Sequence, residues 1–226
     1  MAAEGFHGPT YAAATPPLFM PAANPSDRLL LSPPGAQQRL VLLHGWGADA
    51  DDLLPLGQAL TADLPQPVEL IALRAPEPHP QGSGRQWYGL FPSDWQAVPS
   101  AQAALCQRLK ELESGGIPLA QTVLLGFSQG AAMAVLSGCD LPLAGVISCS
   151  GYPHPGWAAP ANRPSVLLLH GKNDEIVPFQ ASLQLQSLLN ANTNAAKADL
   201  VASESGHTID AAALPAITKA LRAWWS

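Results

Sequence analysis

Short apolar runs alternate with stretches of helical spacing along most of this 226-residue chain, and no other feature constrains its fold as strongly. The apolar runs cover residues 39–43, 68–73, 122–127, 144–150, 166–170 and 198–202. Runs this short are typical of strands buried on both faces, whereas leucines spaced as Leu105, Leu109 and Leu112 are typical of helices. Strands and helices that alternate in this way pack as a mostly parallel sheet with helices on both faces. The sequence therefore predicts an α/β fold.

The length of the chain suits a single domain with one core. Residues 1–26 are rich in alanine and proline. Proline removes backbone donors and interrupts helices, so this segment is predicted to be an extended N-terminal arm. The domain is predicted to cover residues 27–226 and to begin with an edge strand at residues 27–32. Residues 138–166 have room for one strand and one loop, so we expect no helical cap domain there.

The composition excludes several kinds of partner. The 11 lysines and arginines are scattered and the formal net charge is -6, so we expect no basic surface for nucleic acid or an anionic membrane. The three cysteines, Cys106, Cys139 and Cys149, lack the spacing of a zinc site or a disulfide framework and are interpreted as buried, reduced thiols. The sequence shows no secretory signal and no apolar stretch long enough to span a bilayer. We therefore expect a cytoplasmic protein without stable membrane insertion.

A GFSQG sequence at residues 126–130 contains the candidate nucleophile, Ser128. The G-x-S-x-G pattern alone also arises by chance, but here it follows a buried apolar run and precedes small residues of helical character. A serine at such a strand-to-helix turn is held above the sheet with its hydroxyl exposed. The positive end of the following helix then lies where an oxyanion forms. This context favours a nucleophile over an ordinary glycine-rich turn.

His207 is the candidate base, because a serine hydroxyl must be in contact with a base to react. It follows a glycine after the last apolar run and completes the chain order Ser, Asp, His of this kind of site. His44 and His170 each end an apolar run and precede a glycine, so we expect them to brace loops instead.

Asp174 directly follows the run at residues 166–170 and is the candidate carboxylate of the site. In this position it would accept the second ring N–H of His207, fix the tautomer of the ring and stabilise the imidazolium. Glu175 is the rival by proximity, and the structural alternative for Asp174 is a turn residue or an N-cap of the following helix. Ser128, His207 and Asp174 together form the predicted catalytic triad.

An HGWG sequence at residues 44–47 ends the first long apolar run. Its glycines leave backbone N–H groups free to face the serine, and one oxyanion donor of such sites comes from this loop. We predict that the donors are the backbone N–H groups of Trp46 and Gln129.

The long segment at residues 75–95 is interpreted as an apolar wall for an acyl chain. Trp87 and Tyr88 would contact the substrate together with Trp46, and Tyr152 would form the opposite rim. The alternative is that the aromatic residues of this segment simply anchor the loop.

Four motifs occur in the order found in the acyl-protein thioesterase and small carboxylesterase family, which this sequence resembles from about residue 40 onwards. They are LLHGWG at 42–47, GFSQGA at 126–131, SCSGY at 148–152, and HGKNDEIVP at 170–178 followed by GH at 206–207. The resemblance implies a seven-stranded α/β-hydrolase fold without a cap domain, no cofactor, and hydrolysis of acyl esters or protein-linked thioesters. It implies the same triad and oxyanion donors. The family commonly has leucine where Trp46 stands, and the wider ring would shorten the acyl pocket.

Three functions remain open at this point. The leading one is a serine hydrolase that cleaves carboxylic esters with short to medium acyl chains through an acyl-enzyme intermediate. An acyl-protein thioesterase or lysophospholipase acting on long chains would use the same mechanism. A non-catalytic binding protein on a hydrolase scaffold is the alternative of another class. We expect a small-molecule ester or acylated substrate as partner, no metal, and a monomer or homodimer.

Overall fold

The computed structural model describes residues 27–191 and 194–226, so the arm expected at residues 1–26 lies outside the described residues. The strands of the described part are β1 (Arg28–Leu31), β2 (Gln38–Leu43), β3 (Val68–Leu73), β4 (Glu77–Pro78), β5 (Arg85–Gln86), β6 (Thr122–Phe127), β7 (Gly145–Cys149), β8 (Ser165–Gly171) and β9 (Asp199–Ser203). Seven of them form one sheet in the order β1-β3-β2-β6-β7-β8-β9, and β4 and β5 form a separate hairpin. Every pairing in the large sheet is parallel except that of β1 with β3.

The α-helices of the described part cover both faces of this sheet. They are α1 (Leu54–Thr61), α2 (Val98–Glu111), α3 (Gln129–Gly138), α4 (Gln180–Asn190) and α5 (Leu214–Trp224). Side chains alternate between the faces of a strand, and in β2 Val41 and Leu43 pack with α2, α3 and α4. Leu40 and Leu42 of the same strand pack on the other face with α1 and α5. Buried runs of apolar residues are thus explained by a core on each side of the sheet.

The predicted architecture is confirmed. Each of the six apolar runs forms a strand whose ends differ from the prediction by at most one residue, and the predicted edge strand is β1. Between β7 and β8 the chain contains no helix, which agrees with the expected absence of a cap domain from this stretch. The extent of the domain, residues 27–226, stays a prediction.

Cys139 and Cys149 match their interpretation as buried thiols, whereas Cys106 does not, because it is only half-buried on α2. All three are free, with Cys139 and Cys149 buried and Cys106 half-buried. Burial raises the pKa of Cys139 and of Cys149 to about 12, so both thiols are protonated and unreactive at neutral pH. Within residues 27–191 and 194–226, no helix has the length and apolar character needed to cross a bilayer.

Candidate active site

Ser128 lies at the turn between β6 and α3 with backbone angles φ 54° and ψ -119°, which a residue with a side chain rarely adopts. The glycines on either side make this turn possible. A Cβ on Gly126 would collide with the carbonyl oxygen of Gly130, and a Cβ on Gly130 would collide with the carbonyl oxygens of Leu43 and His44. The Ser128 N–H donates to the Cys149 carbonyl at 2.9 Å. The strand, the strained turn and the helix therefore occur together, as the sequence predicts.

The structure brings Ser128, His207 and Asp174 into one hydrogen-bonded chain. His207 Nε2 lies 3.0 Å from Ser128 Oγ, and His207 Nδ1 lies 2.7 Å from Asp174 Oδ2. An ionised carboxylate can only accept, so Nδ1 carries the ring proton and Nε2 is left to accept the serine hydroxyl. The ring of His207 packs against Phe127 with a centroid distance of 4.8 Å, which further fixes its orientation.

The carboxylate of Asp174 is enclosed and hydrogen-bonded through both oxygens. Its side chain is fully buried, and Oδ1 accepts from the N–H groups of Ile176 at 2.9 Å and Val177 at 2.8 Å. Burial alone would raise the pKa of Asp174, but the hydrogen bonds from His207, Val177 and Ile176 outweigh it and hold the pKa below its ordinary value. Asp174 is therefore ionised at neutral pH.

Glu175, the rival carboxylate, is exposed, while Asp174 contacts His207. The alternative role of Asp174 as an N-cap does not apply to α4, because that helix is preceded by Phe179 and has no side-chain cap. Its role as a turn residue does hold, since Oδ1 accepts from two backbone N–H groups of the turn, while Oδ2 contacts His207. The geometry thus favours Asp174 as the partner of the base.

His44 and His170 brace loops, as expected. His44 Nε2 accepts from the Ala75 N–H at 3.1 Å, and Nδ1 donates to the Gly45 carbonyl at 2.8 Å. His170 Nε2 donates to the Val177 carbonyl at 2.8 Å and lies 3.2 Å from Asp174 Oδ2. The His170 ring therefore holds the loop that carries Asp174.

The two backbone groups predicted as oxyanion donors lie on loops that pass beside Ser128. A Cβ on Gly45 would be 3.4 Å from the Cβ of Ser128, so the loop that continues to Trp46 runs close to the nucleophile. Gln129 follows Ser128 directly and begins α3. In the described part of the chain, the N–H groups of Trp46 and Gln129 have no protein acceptor. Both are therefore free to donate to a ligand.

The expected apolar wall needs a correction at Trp87 and Tyr88. These side chains are 2% and 0% exposed and belong to the hydrophobic core, where the Trp87 indole donates to the His44 carbonyl at 2.9 Å. The alternative, in which the aromatic residues anchor the loop, holds for both. The sequence shows that aromatic residues are present but not which way the loop turns them.

Trp46 and Tyr152 are half-buried and remain candidates for substrate contact. The Trp46 ring packs edge-on against His79 and Phe91, with centroid distances of 4.0 and 5.1 Å. The hydroxyl of Tyr152 lies 2.7 Å from that of Tyr88, which joins this rim to the anchored loop.

Sequence reasoning missed two buried polar residues that support these loops, Gln86 and His154. Gln86 Oε1 accepts from the Trp46 indole N–H at 2.9 Å, and His154 Nε2 lies 3.0 Å from the Tyr88 hydroxyl. Neither residue belongs to a motif, and both partners are distant in sequence, so no local signal marks them. Among the described residues, no group of three His, Cys, Asp or Glu side chains is placed to hold a metal ion.

Burial also gives His154 a testable influence on stability. Its pKa is lowered from the ordinary 6.5 to about 4, so between these values the unfolded chain binds more protons than the folded one. The contribution of the neutral His154 to stability is therefore complete above pH 6.5 and is lost as the pH falls towards 4. Between pH 7 and pH 5 this group should cost the parent protein about 2 kcal/mol of unfolding free energy. The His154→Gln variant lacks the group, so its unfolding free energy should fall by that much less over the same interval. Urea titrations of both proteins at pH 7 and pH 5 measure the two decreases. Equal decreases in the parent and the variant would contradict the lowered pKa of His154.

The sheet order, the strained serine after β6 and the hydrogen-bonded side chains at the carboxyl edge define the protein as an α/β-hydrolase. The model of the phospholipase/carboxylesterase family matches residues 32–225, and the chain belongs to this family. It is thus a hydrolase of the carboxylesterase and thioesterase type, which argues against a non-catalytic binding protein.

Individual relatives agree with this assignment. The esterase YpfH of Escherichia coli (strain K12) is 26% identical over 182 residues, which make up 77% of this chain and 78% of that protein. The crystal structure of esterase PE8 is 31% identical with a TM-score of 0.76, and the match covers 87% of this chain and 98% of that one. The acyl-protein thioesterase 2 of Zea mays shares the fold at 22% identity, with a TM-score of 0.69 over 89% of this chain and 100% of that one.

Proposed function

We propose that the protein is a serine hydrolase that cleaves carboxylic esters with short to medium acyl chains through Ser128, His207 and Asp174. The observation that carries the proposal is the continuous chain of hydrogen bonds from Ser128 Oγ through the His207 ring to Asp174, with distances of 3.0 and 2.7 Å. The partner is a small-molecule ester or acylated substrate, and residues 27–226 act as one domain.

In the first half of the reaction, Ser128 Oγ attacks the ester carbonyl while His207 Nε2 takes the hydroxyl proton. The carbonyl oxygen becomes an oxyanion and accepts hydrogen bonds from the backbone N–H groups of Trp46 and Gln129. The buried carboxylate of Asp174 stabilises the imidazolium. His207 then gives its proton to the leaving alcohol or thiol, and the acyl group stays on Ser128.

In the second half, a water molecule gives a proton to His207 Nε2 and attacks the acyl carbon. The second tetrahedral intermediate uses the same two N–H donors. Its collapse breaks the bond to Ser128 Oγ, which regains the proton from His207, and the carboxylic acid leaves. No cofactor takes part in these steps.

The acyl preference rests on Trp46 and the rings that hold it. The indole packs against His79 and Phe91 and belongs to the residue that supplies the first predicted oxyanion donor. In the proposal, a ring held so close to the reacting carbonyl limits the length of the acyl chain. Long-chain thioesterase or lysophospholipase activity is the second candidate, since the chemistry is the same and only the room for the chain differs.

A fluorophosphonate probe and a series of p-nitrophenyl esters test the proposal together. The probe phosphonylates an activated serine, so we expect labelling at Ser128, identified by peptide mass spectrometry. Turnover is expected to be highest with acetate to hexanoate esters and to fall at least about tenfold for palmitate, by exclusion of the longer chain. A protein that the probe leaves unlabelled would refute the triad, whereas a palmitate optimum would refute only the chain-length preference.

A further inference from the structure

The first predicted oxyanion donor lies on a loop that residues 85 and 86 hold through three hydrogen bonds. Gln86 Oε1 accepts from the Trp46 indole N–H at 2.9 Å. The Arg85 carbonyl accepts from the Gly47 N–H at 2.9 Å, and the Arg85 N–H donates to the Ala48 carbonyl at 2.8 Å. Three consecutive residues of the loop, from Trp46 to Ala48, are therefore held by two consecutive residues of β5.

The second predicted donor is held by the next two residues of the same segment. The Trp87 N–H donates to Gln129 Oε1 at 3.0 Å, and Gln129 Nε2 donates to the Tyr88 carbonyl at 2.8 Å. The Gln129 side chain is fully buried, so water does not compete for either bond. These bonds fix the residue whose backbone N–H follows the nucleophile.

We propose that residues 85–88, here called the brace, set the separation of the two N–H donors and so position them on the oxyanion. The inference rests on the proposed function. Adjacent Cα atoms are separated by a fixed distance of about 3.8 Å, so four consecutive residues form a short ruler between two loops. The loops themselves are distant in sequence, at residues 46 and 129, and the brace connects them directly.

The brace is itself anchored. Trp87 is buried in the core and its indole donates to the His44 carbonyl, two residues before Trp46. Gln86 is 8% exposed, and its Nε2 lies 3.3 Å from Glu77 Oε2 on the paired strand β4. Movement of the brace would therefore displace both donors together.

Such a positioning role has a kinetic signature that differs from that of simple stabilisation. Oxyanion donors act on the charge that develops in the transition state, so misplacing them lowers kcat while KM for the neutral ester is unaffected. An inhibitor that forms a tetrahedral adduct with the serine, such as a boronic acid, depends on the same donors. Its affinity should fall in parallel with kcat.

Gln86→Met tests the brace, because methionine keeps the length of the side chain and removes the acceptor for Trp46. We expect kcat for p-nitrophenyl butyrate to fall about tenfold and the Kd of phenylboronic acid to rise by a similar factor, with KM changed less than about twofold. Trp46→Phe removes the same hydrogen bond from its other end and retains the backbone N–H. Both variants delete the bond between Trp46 and Gln86, so their losses should not add. The double variant should lose about as much as Gln86→Met, which also gives up the bond to Glu77.

Gln186→Met is the matched control. This glutamine of α4 also donates one side-chain hydrogen bond, at 3.1 Å to the Ala198 carbonyl. Ala198 directly precedes β9, so the bond lies at the amino end of that strand, whereas the site lies at the carboxyl ends of the strands. The substitution should leave kcat and boronate affinity unchanged. Normal kcat and boronate affinity in both folded single variants, Gln86→Met and Trp46→Phe, would overturn the brace alone. A parent protein without ester turnover would overturn the proposed function and the brace with it.

Discussion

Replacing Ser128 by alanine should lower kcat for short p-nitrophenyl esters by about 10⁶-fold, because the acyl intermediate forms on the hydroxyl that the substitution removes. Thermal stability should change little. Alanine has the same Cβ as serine and takes the same backbone conformation, and only the hydrogen bond to His207 is lost. Steady-state kinetics with active-site titration, and a thermal melt of both proteins, give the two quantities. Residual turnover above about 1% would remove Ser128 from the mechanism.

The chain offers a close control in Ser150→Ala. Ser150 also has a positive φ, 53°, and directly follows the neighbouring strand β7. It is 1% exposed, and its Oγ has no hydrogen-bond partner among the described residues. The substitution thus removes a buried hydroxyl from a similar backbone position, and we expect turnover within about threefold of the parent.

Replacing Asp174 by asparagine should lower kcat/KM by about 10⁴-fold at neutral pH, with the fold retained. The reason lies in the two backbone N–H groups of Ile176 and Val177, which both donate to Asp174 Oδ1. They require an oxygen at that position, so the amide NH2 of asparagine must face His207. The ring then accepts at Nδ1 and carries its proton on Nε2, where it cannot take the proton of Ser128. The rate of fluorophosphonate labelling should fall with kcat/KM.

Glu175→Gln serves as the comparison for this experiment. Glu175 is the adjacent carboxylate and is exposed, so its loss tests the effect of one negative charge near the site without touching the ring of His207. We expect activity within about twofold of the parent. If instead Glu175→Gln abolished turnover and Asp174→Asn did not, the assignment of the acid would be reversed.

The strands and the strained serine could be predicted because their signals are local. A buried strand of a parallel sheet is a short apolar run, and the glycines at 126 and 130 stand beside the serine in the sequence itself. His207 and Asp174 could also be selected, because loops after parallel strands meet at one edge of the sheet. Their order along the chain then left few alternatives.

The loop at residues 75–95 could not be predicted in the same way. Trp87 and Tyr88 fill space between this loop and the core, while Phe91, three residues further on, is 71% exposed. No periodicity distinguishes the two environments, since residues 87–91 belong to none of the helices and strands. The contacts of Gln86 with Trp46 and of Gln129 with residues 87 and 88 depend on how this loop folds back, which is decided by tertiary packing.

The backbone at Ser128 has a consequence for engineering this protein. Conformations of this kind cost on the order of 1–3 kcal/mol in a residue that has a Cβ, and the rest of the fold must supply that energy. Glycine would adopt the same angles without the penalty, so a search that scores folding stability alone will favour glycine there. Under the proposed function, that stabilising change is also the one that discards the attacking oxygen. Heat resistance and turnover are therefore in direct opposition at this residue.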